Sequence, residues 1–478
     1  MENLTTKSES RYLLFILLWL AAILIFAYSW VPGGLDADSC TFGTIAKEIL
    51  RTNHWLQIYN PVQEEVFYWH FPLCIWITAG IFKLFGASSF TAQLFSMFCG
   101  FTLVAVIFYF GRLLKNNWVG FFAGVSFLFT NHIIRIARKC RLDIPLSLFI
   151  TLAMLSFYLA QKRSRFYYLL FGLFTCLAIL SKEVSGLVPL AIGFLYLILR
   201  LRWKEFFHPL FILGVFIAIV PVFIWIRLDH STLFTTWLNC NFLYLLKSTR
   251  FTEPWYYYIW VLATKYCYFL PFAIYGAYLA IKEARKNKNY EFYLLLIWVL
   301  IFPLAFSFGR HKVHYYILPV YPAASLFIGM AFDKMLKESI KLKVATIMKY
   351  LLIVISIVLV CFPLNLRSKR FSEAVTLAPA IDQLIKQLPQ YEFIIYKQDK
   401  ASLLFYSQEL TRAEVIRDKQ ALEDRLLVTG KPKLCYLSER DFSELNPQVK
   451  QNCLVILKYK DRLIIAGPET PNLVVTLP

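Results

Sequence analysis

Eleven mostly apolar stretches, each long enough to approach or reach the width of a bilayer, dominate this chain: residues 12–30, 90–110, 118–134, 144–160, 166–180, 186–201, 209–226, 256–281, 292–308, 315–332 and 347–364. No other feature narrows the fold as much. About 20 apolar residues span the hydrocarbon as a helix, with about 17 tolerated. Hydrophobic residues make up 58% of the 478-residue chain, well above a soluble domain, so the class is a mainly α, polytopic membrane helix bundle.

The basic residues set the orientation. A twelfth apolar stretch, 71–85, is short, opens on Phe71-Pro72 and contains Lys83. If it does not span, the clusters at Lys7/Arg11, Arg112/Lys115, Lys162/Arg163/Arg165, Arg200/Arg202/Lys204, Lys282/Arg285/Lys286/Lys288 and Lys334/Lys337/Lys341/Lys343 all fall on one side. The positive-inside rule makes that side cytoplasmic. If it does span, five of the six clusters move outside. The stretch 71–85 therefore reads as an interfacial or re-entrant helix on the outer face, with the N-terminus inside and the C-terminus outside. The net charge of +20 belongs to these loops and to anionic lipid, not to nucleic acid. No cleavage site follows the first run, which reads as a retained helix. The ten cysteines show no metal-ligand spacing. Two of them, Cys435 and Cys453, lie in a polar tail where an oxidising compartment would allow them to pair.

That tail, residues 365–478, changes character. Short β-like runs ("EFIIY", "PKLCYL", "CLVILKY", "RLIIAG") are interspersed with amphipathic segments ("APAIDQLIKQL", "DKQALEDRLL"). The pattern predicts a small α/β domain outside the cytoplasm, following a membrane domain over residues 1–364. There is no internal repeat and no Gly-rich phosphate loop.

The loops assigned to the outer face carry charge that the topology rule does not call for. The first has Asp36, Asp38, Lys47, Glu48, Glu64, Glu65 and His70. The second is "HIIRIARKCRLD", with His132, Arg135, Arg138, Lys139, Arg141 and Asp143. The third is "SKEVSG", with Lys182 and Glu183. The fourth has Asp229, His230, Lys247, Arg250 and Glu253, and the fifth is "GRHKVHYY", with Arg310, His311, Lys312, His314, Tyr315 and Tyr316. Lys265 sits inside the run 256–281, where an ionisable residue is a functional candidate and a snorkelling one is the alternative. Arg and Lys at headgroup depth suit a phosphate. Carboxylates among them suit a base or a metal ligand. Together they point to chemistry on a phosphorylated lipid.

These motifs resemble a family. "DADSCTFGTIAKEIL" followed by "FYWHFPLCIWITAGIFKLFG" looks like the start of the GT-C glycosyltransferases, in the branch of aminoarabinose transferases and protein O-mannosyltransferases. "RLDIPLSLF", "LAILSKEVSGLVP" and "SFGRHKVHYYILPVYPAASLFIG" resemble later family motifs, in order, over about 360 residues. The resemblance implies a GT-C fold of about 11 spans plus outer juxtamembrane helices. It also implies a polyprenyl-phosphate sugar donor, a lipid, glycan or protein acceptor, and inverting transfer at the outer face of a bacterial inner membrane. It places the catalytic acids on Asp38 and Asp143. Phosphate binding falls to Arg135, Arg138, Lys139, Arg141, Lys182, Arg310, Lys312 and Tyr316, with Asp36, His314 and Lys265 in support. The family's metal-site acid falls on His70, and its later His is missing, leaving Glu253 or His230 as substitutes. Use of a divalent metal ion is therefore left open, with His70 and Glu253 as candidate ligands.

In this reading Asp38 takes the acceptor's proton, and the basic residues neutralise the departing phosphate. The helix 71–85 roofs the site. A capping role at the following helix is the plain alternative for Asp38, and Ser39 could serve that role equally well. Two other classes compete. A transporter would carry its polar sites near the midplane, often in repeated halves. A lipid phosphatase or phosphotransferase would need a compact His-based motif, of which His311 and His314 beside Arg310 and Lys312 are only a part.

Overall fold

The computed structural model describes residues 15–16, 18–26, 35–67, 69–228, 252–287, 290–361, 369–388, 390–428 and 430–468. Asp229, His230, Lys247 and Arg250 lie outside them. The chain is mainly helical and divides into two compact units. One comprises residues 1–29, 67–77 and 93–364, the other residues 30–66, 78–92 and 365–478.

The first unit is a helix bundle. Among the described residues, Ser89–Leu114, Asp143–Lys162, Pro209–Leu228 and His314–Met335 are long and apolar enough to cross a membrane, and a fifth span is possible if Asn117–Leu128 and Asn131–Ala137 act together. Shorter apolar helices include Tyr167–Ser181 and Phe292–Ser307. The large buried side chains Phe26, Phe110, Phe127, Phe157, Tyr168, Trp298 and Tyr321 fill the core.

Several runs that read as single spans are broken. Asn117–Leu128 and Asn131–Ala137 meet at 66°. The run 256–281 is two helices, Tyr257–Lys265 and Leu270–Asn287. Pro271 accounts for that break, because its ring has no N–H and excludes the carbonyl four residues earlier from a continuous helix. Lys265 thus ends a short helix and is exposed, not set within a long span. The run 315–332 opens as a 3-10 helix, His314–Val320, before Tyr321–Met335, with Pro319 and Pro322 at the junction. The indole of Trp298 donates to the carbonyl of Pro319 at 2.8 Å and fixes this junction to Phe292–Ser307.

Close helix packing depends on glycine at several contacts, and Gly172 is one of them. A Cβ added at Gly172, on Tyr167–Ser181, would stand 2.0 Å from the carbonyl oxygen of Gly214 on Pro209–Leu228. Backbone cannot yield as a flexible side chain can, so Gly172→Ala is expected to destabilise the bundle by about 1–3 kcal/mol. Thermal unfolding in detergent measures this. Gly80→Ala, where an added Cβ meets nothing within 4 Å, is the control and should be neutral or better.

The second unit contains a five-stranded mixed sheet in the order β4-β3-β5-β7-β6. The strands are β3 Glu392–Tyr396, β4 Glu414–Ile416, β5 Lys433–Ser438, β6 Leu454–Tyr459 and β7 Arg462–Ala466. A two-stranded ribbon, β1 Tyr59–Asn60 and β2 Glu65–Val66, precedes them. β3 runs parallel to β4 and β5, and β7 runs antiparallel to β5 and β6. Side chains alternate across the sheet as a period of two requires. Phe393 and Ile395 pack with Leu377, Ile381 and Leu384 of the helix Lys369–Gln387. Ile394 and Tyr396 pack on the other face with Leu422 and Leu426 of Lys419–Leu427. Cys435 and Cys453 are free thiols.

Also in this unit, the Lys47 ammonium ends on the carbonyls of Leu404, Phe405 and Ser407, at 3.2, 3.0 and 2.6 Å. It covers acceptors that the last turn of the helix Lys400–Tyr406 leaves open. Burial pulls its pKa down from 10.5 to about 8, and Asp382 opposes that shift. Between about pH 8 and 10.5 the unfolded chain then binds more protons at this site than the folded one, so stability from this group rises with pH. Melting curves of wild type and Lys47→Met across that window should diverge, wild type gaining relative to the variant as pH rises.

Candidate functional site

In the helix bundle, two chain breaks carry buried charge into one cluster. Asp143 is the first residue of Asp143–Lys162, where the positive end of the helix dipole favours a carboxylate and Pro145 suits the first turn. Lys182 is extended (φ −162°, ψ 93°) between Tyr167–Ser181 and the short helix Glu183–Gly186. Its Nζ donates to Asp143 Oδ1 at 2.6 Å. Arg141 Nε reaches Asp143 Oδ2 at 3.4 Å. All three residues are buried, at 6% exposure for Arg141, 2% for Asp143 and 7% for Lys182. Charges taken this far from water require partners, and together these three carry one net positive charge.

Two aromatic rings from the 3-10 helix complete the cluster. The Arg141 guanidinium lies 4.2 Å from the Tyr315 ring centroid, and Lys182 Nζ lies 4.6 Å from that of Tyr316. Cation–π contact of this kind is worth more when desolvated. The same 3-10 helix is pinned from behind. His132 on Asn131–Ala137 bonds His314 Nδ1 through Nε2 and the Tyr321 hydroxyl through Nδ1, each at 2.9 Å. Tyr321 packs against Tyr266, whose hydroxyl meets Ser325 at 3.2 Å.

Beside Lys182, Glu183 turns to a different partner. Its carboxylate accepts the backbone N–H of Phe71 at 2.5 Å and meets His70 Nδ1 at 3.3 Å. Phe71 then packs on Trp225, with ring centroids 5.2 Å apart, so the segment 70–71 is held by both charge and apolar contact. His70 thus meets Glu183, while Glu253 is exposed and its backbone carbonyl takes Lys312 Nζ at 2.9 Å. Lys312 is buried, and burial lowers its pKa while Glu253 opposes the shift. Among the described residues no three His, Cys, Asp or Glu side chains form a group able to hold a metal ion. His70 and Glu183 place an imidazole and a carboxylate side by side, and would be the pair to hold a divalent ion if one binds here.

Of the candidate residues read from sequence, Arg141, Asp143, Lys182 and Tyr316 come together, with His314 behind them. Arg138 and Lys139 are half-buried on the same break, and Arg135, Arg310 and Lys265 are exposed. Sequence reasoning gave no role to Glu183, Tyr315, His132 or Tyr321. For Glu183 and His132 a signal existed, since both are polar residues confined between apolar runs. The two tyrosines carried none, because aromatic residues are everywhere in this chain.

Asp36 and Asp38 belong to the second unit and divide their work. Asp36 is the N-cap of the helix Ala37–Thr52, its Oδ1 accepting from the Ser39 backbone N–H at 3.0 Å and from the Ser39 hydroxyl at 2.6 Å. Asp38 is one of the first helical residues and is exposed. The capping role considered for Asp38 or Ser39 therefore falls to Asp36. Asp36→Ala should cost about 1 kcal/mol and Asp36→Ser almost nothing, read as shifts in thermal unfolding.

Residues 70–225 match the family described as dolichyl-phosphate-mannose-protein mannosyltransferase. An uncharacterised protein of Aquifex aeolicus is 27% identical over 406 residues, covering 80% of this chain and 75% of its own. The undecaprenyl phosphate-alpha-4-amino-4-deoxy-L-arabinose arabinosyl transferase of Aeromonas hydrophila is 26% identical over 341 residues, covering 65% of this chain. The match spans only 57% of that transferase's length. Among solved structures, ArnT from Cupriavidus metallidurans superposes with a TM-score of 0.73 in the apo state and 0.71 bound to undecaprenyl phosphate, at 17% and 16% identity. The superpositions cover 96% and 95% of this chain and 98% and 97% of ArnT, which shows a shared fold.

Proposed function

We propose that the chain is a GT-C-type glycosyltransferase moving a sugar from a polyprenyl-phosphate donor to an acceptor at the outer face of a bacterial inner membrane, a reading supported by its similarity to the mannosyltransferase family over residues 70–225 and by its ArnT-like fold. The observation that carries this reading is the buried Arg141–Asp143–Lys182 cluster under Tyr315 and Tyr316, a desolvated site with one net positive charge. Such a site suits a phosphate that gains charge as it leaves. In support, the Aeromonas hydrophila relative is an undecaprenyl phosphate-alpha-4-amino-4-deoxy-L-arabinose arabinosyl transferase, and the ArnT neighbour is a structure bound to undecaprenyl phosphate. The eleven-span topology and an extracytoplasmic second unit belong to this proposal.

In the proposed reaction each step falls to a named residue. Asp38 takes the proton of an acceptor hydroxyl while its oxygen attacks the anomeric carbon from the face opposite the phosphate. The new carbon–oxygen bond forms as the bond to phosphate oxygen breaks, which inverts the anomeric centre. The polyprenyl phosphate leaves with the bonding electron pair, and Lys182 and Arg141 stabilise its charge. Asp143 holds both cations in place, and Tyr315 and Tyr316 hold them from the other side. The pairing of His70 with Glu183 fixes the backbone at Phe71.

Purified protein in lipid nanodiscs, given a polyprenyl-phosphate donor labelled in its sugar together with an extract of envelope glycans and lipids, should transfer label out of the donor. Lys182→Met should slow that transfer about 10²-fold or more, the scale of losing one preorganised electrostatic contact. Failure of label to leave any donor, or transfer unaffected by Lys182→Met, would overturn the reading.

A further inference from the structure

The second unit contains a cavity of about 520 Å³ that the reaction above does not use. It lies among the C-terminal end of the helix Ala37–Thr52, the β1–β2 ribbon and the sheet edge at β3 and β4. Its volume falls in the usual range for small-molecule sites, about 300–1,000 Å³.

The walls restrict what fits. Most of the charge is already neutralised in pairs. Arg51 binds Glu48 through two bonds of 2.7 and 2.5 Å. Arg425 bridges Glu392 at 3.3 Å and Glu414 at 3.2 Å. Glu64 pairs with Lys400 at 2.5 Å. Four carboxylates in the wall exclude a polyanion, and the preponderance of polar side chains excludes an apolar ligand. Paired guanidinium and carboxylate groups present donors and acceptors side by side, the pattern a hydroxyl can meet with both its proton and its lone pairs. Tyr59 and Tyr391 add rings to the same wall. Arg412 is the exception to the pairing: among the described residues it has neither an ion pair nor a hydrogen bond. A single unpaired guanidinium fits one oxyanion, a carboxylate or a phosphate ester.

We propose that this cavity binds the glycan portion of the acceptor, and that the acceptor is an acidic saccharide whose carboxylate or phosphate ester pairs with Arg412. This rests on the transferase reading. The helix Ala37–Thr52 links the two ends: Glu48 follows Asp38 by ten residues, about 15 Å along the axis, so one oligosaccharide can lie on the cavity and present a hydroxyl to Asp38.

Binding to the full chain in nanodiscs, followed by calorimetry, tests this with trigalacturonate, glucose 6-phosphate, neutral maltotriose and inorganic phosphate. At least one of the two acidic sugars should bind more tightly than maltotriose and inorganic phosphate, and whichever does names the anion. Arg412→Ala should weaken that binding about tenfold or more, the scale of one hydrogen-bonded charge. The residue is exposed and unpaired, so the variant should melt as wild type does. Equal binding of neutral and acidic sugars, no saccharide binding, competition by inorganic phosphate alone, or an Arg412→Ala chain that binds as wild type would each overturn the proposal. The donor assay separates the two readings. Label transfer with no saccharide bound in this cavity defeats the cavity alone, whereas a bound acidic sugar with no label leaving any donor defeats the transferase.

Discussion

Asp143→Asn is expected to cost about 3–5 kcal/mol of folding stability, the penalty for breaking a buried ion pair from one side. The substitution keeps the shape and the helix-end position of the side chain and removes only its charge. What remains is Lys182 beside Arg141, both buried, with repulsion where there was attraction. The variant should unfold in detergent at a clearly lower temperature and lose transfer along with it. The double variant Asp143→Asn with Lys182→Met separates the two losses. It removes the uncompensated ammonium and leaves Arg141 over Tyr315, so most of the stability should return while transfer does not. If Asp143→Asn melts like wild type, the three charges are not held together away from water, and the phosphate site built on them fails with them.

Asp38→Asn should do the reverse, leaving stability almost untouched and transfer severely reduced. Asp38 is exposed, and the cap of its helix is Asp36, so removing its charge should cost little, on the scale of a charge at a helix N-terminus, about 0.3–1 kcal/mol. As general base it contributes about 10²–10⁴ to the rate. Label transfer by Asp38→Asn should fall by that factor, with donor binding and melting unchanged. Transfer at the wild-type rate by a folded variant would remove Asp38 from the chemistry. Equal losses of melting temperature and rate would make it a structural residue.

How much of this was legible in the sequence differed from place to place. The mainly helical bundle was legible because long apolar runs have few ways to satisfy their backbone. The start of a helix at Asp143 was legible from an acid followed by Pro145 and an unbroken run. The strand segments of the tail were legible as short runs of apolar and β-branched residues in a polar tail, except β4, whose three residues are too few to stand out. Helix continuity was not legible. The apolar pattern passes without interruption through Thr130, and through 266–269, because hydropathy reports solvent and not dihedral angles. Only Pro271 marked the second break, and only in retrospect. At the candidate site, sequence identified which residue types were out of place but not who meets whom. Lys182 and Glu183 are neighbours in the chain yet face different partners, Asp143 and His70, because the extended backbone at Lys182 turns successive side chains apart. Likewise "DADS" offered three capping residues within four positions, and only backbone geometry assigns the cap to Asp36.

The central claim is that the bond broken lies between sugar and phosphate, with the phosphate held by Lys182 and Arg141. Mass spectrometry of the lipid recovered after incubating the protein with a polyprenyl-phosphate sugar and an acceptor extract reads that bond directly. The account predicts polyprenyl phosphate, with its phosphorus retained and its sugar gone, in amounts that fall in Lys182→Met and Asp38→Asn. Recovery of free polyprenol would mean that the phosphate travelled with the sugar, and recovery of unchanged donor would mean that this chain does not act on it; either result contradicts the account.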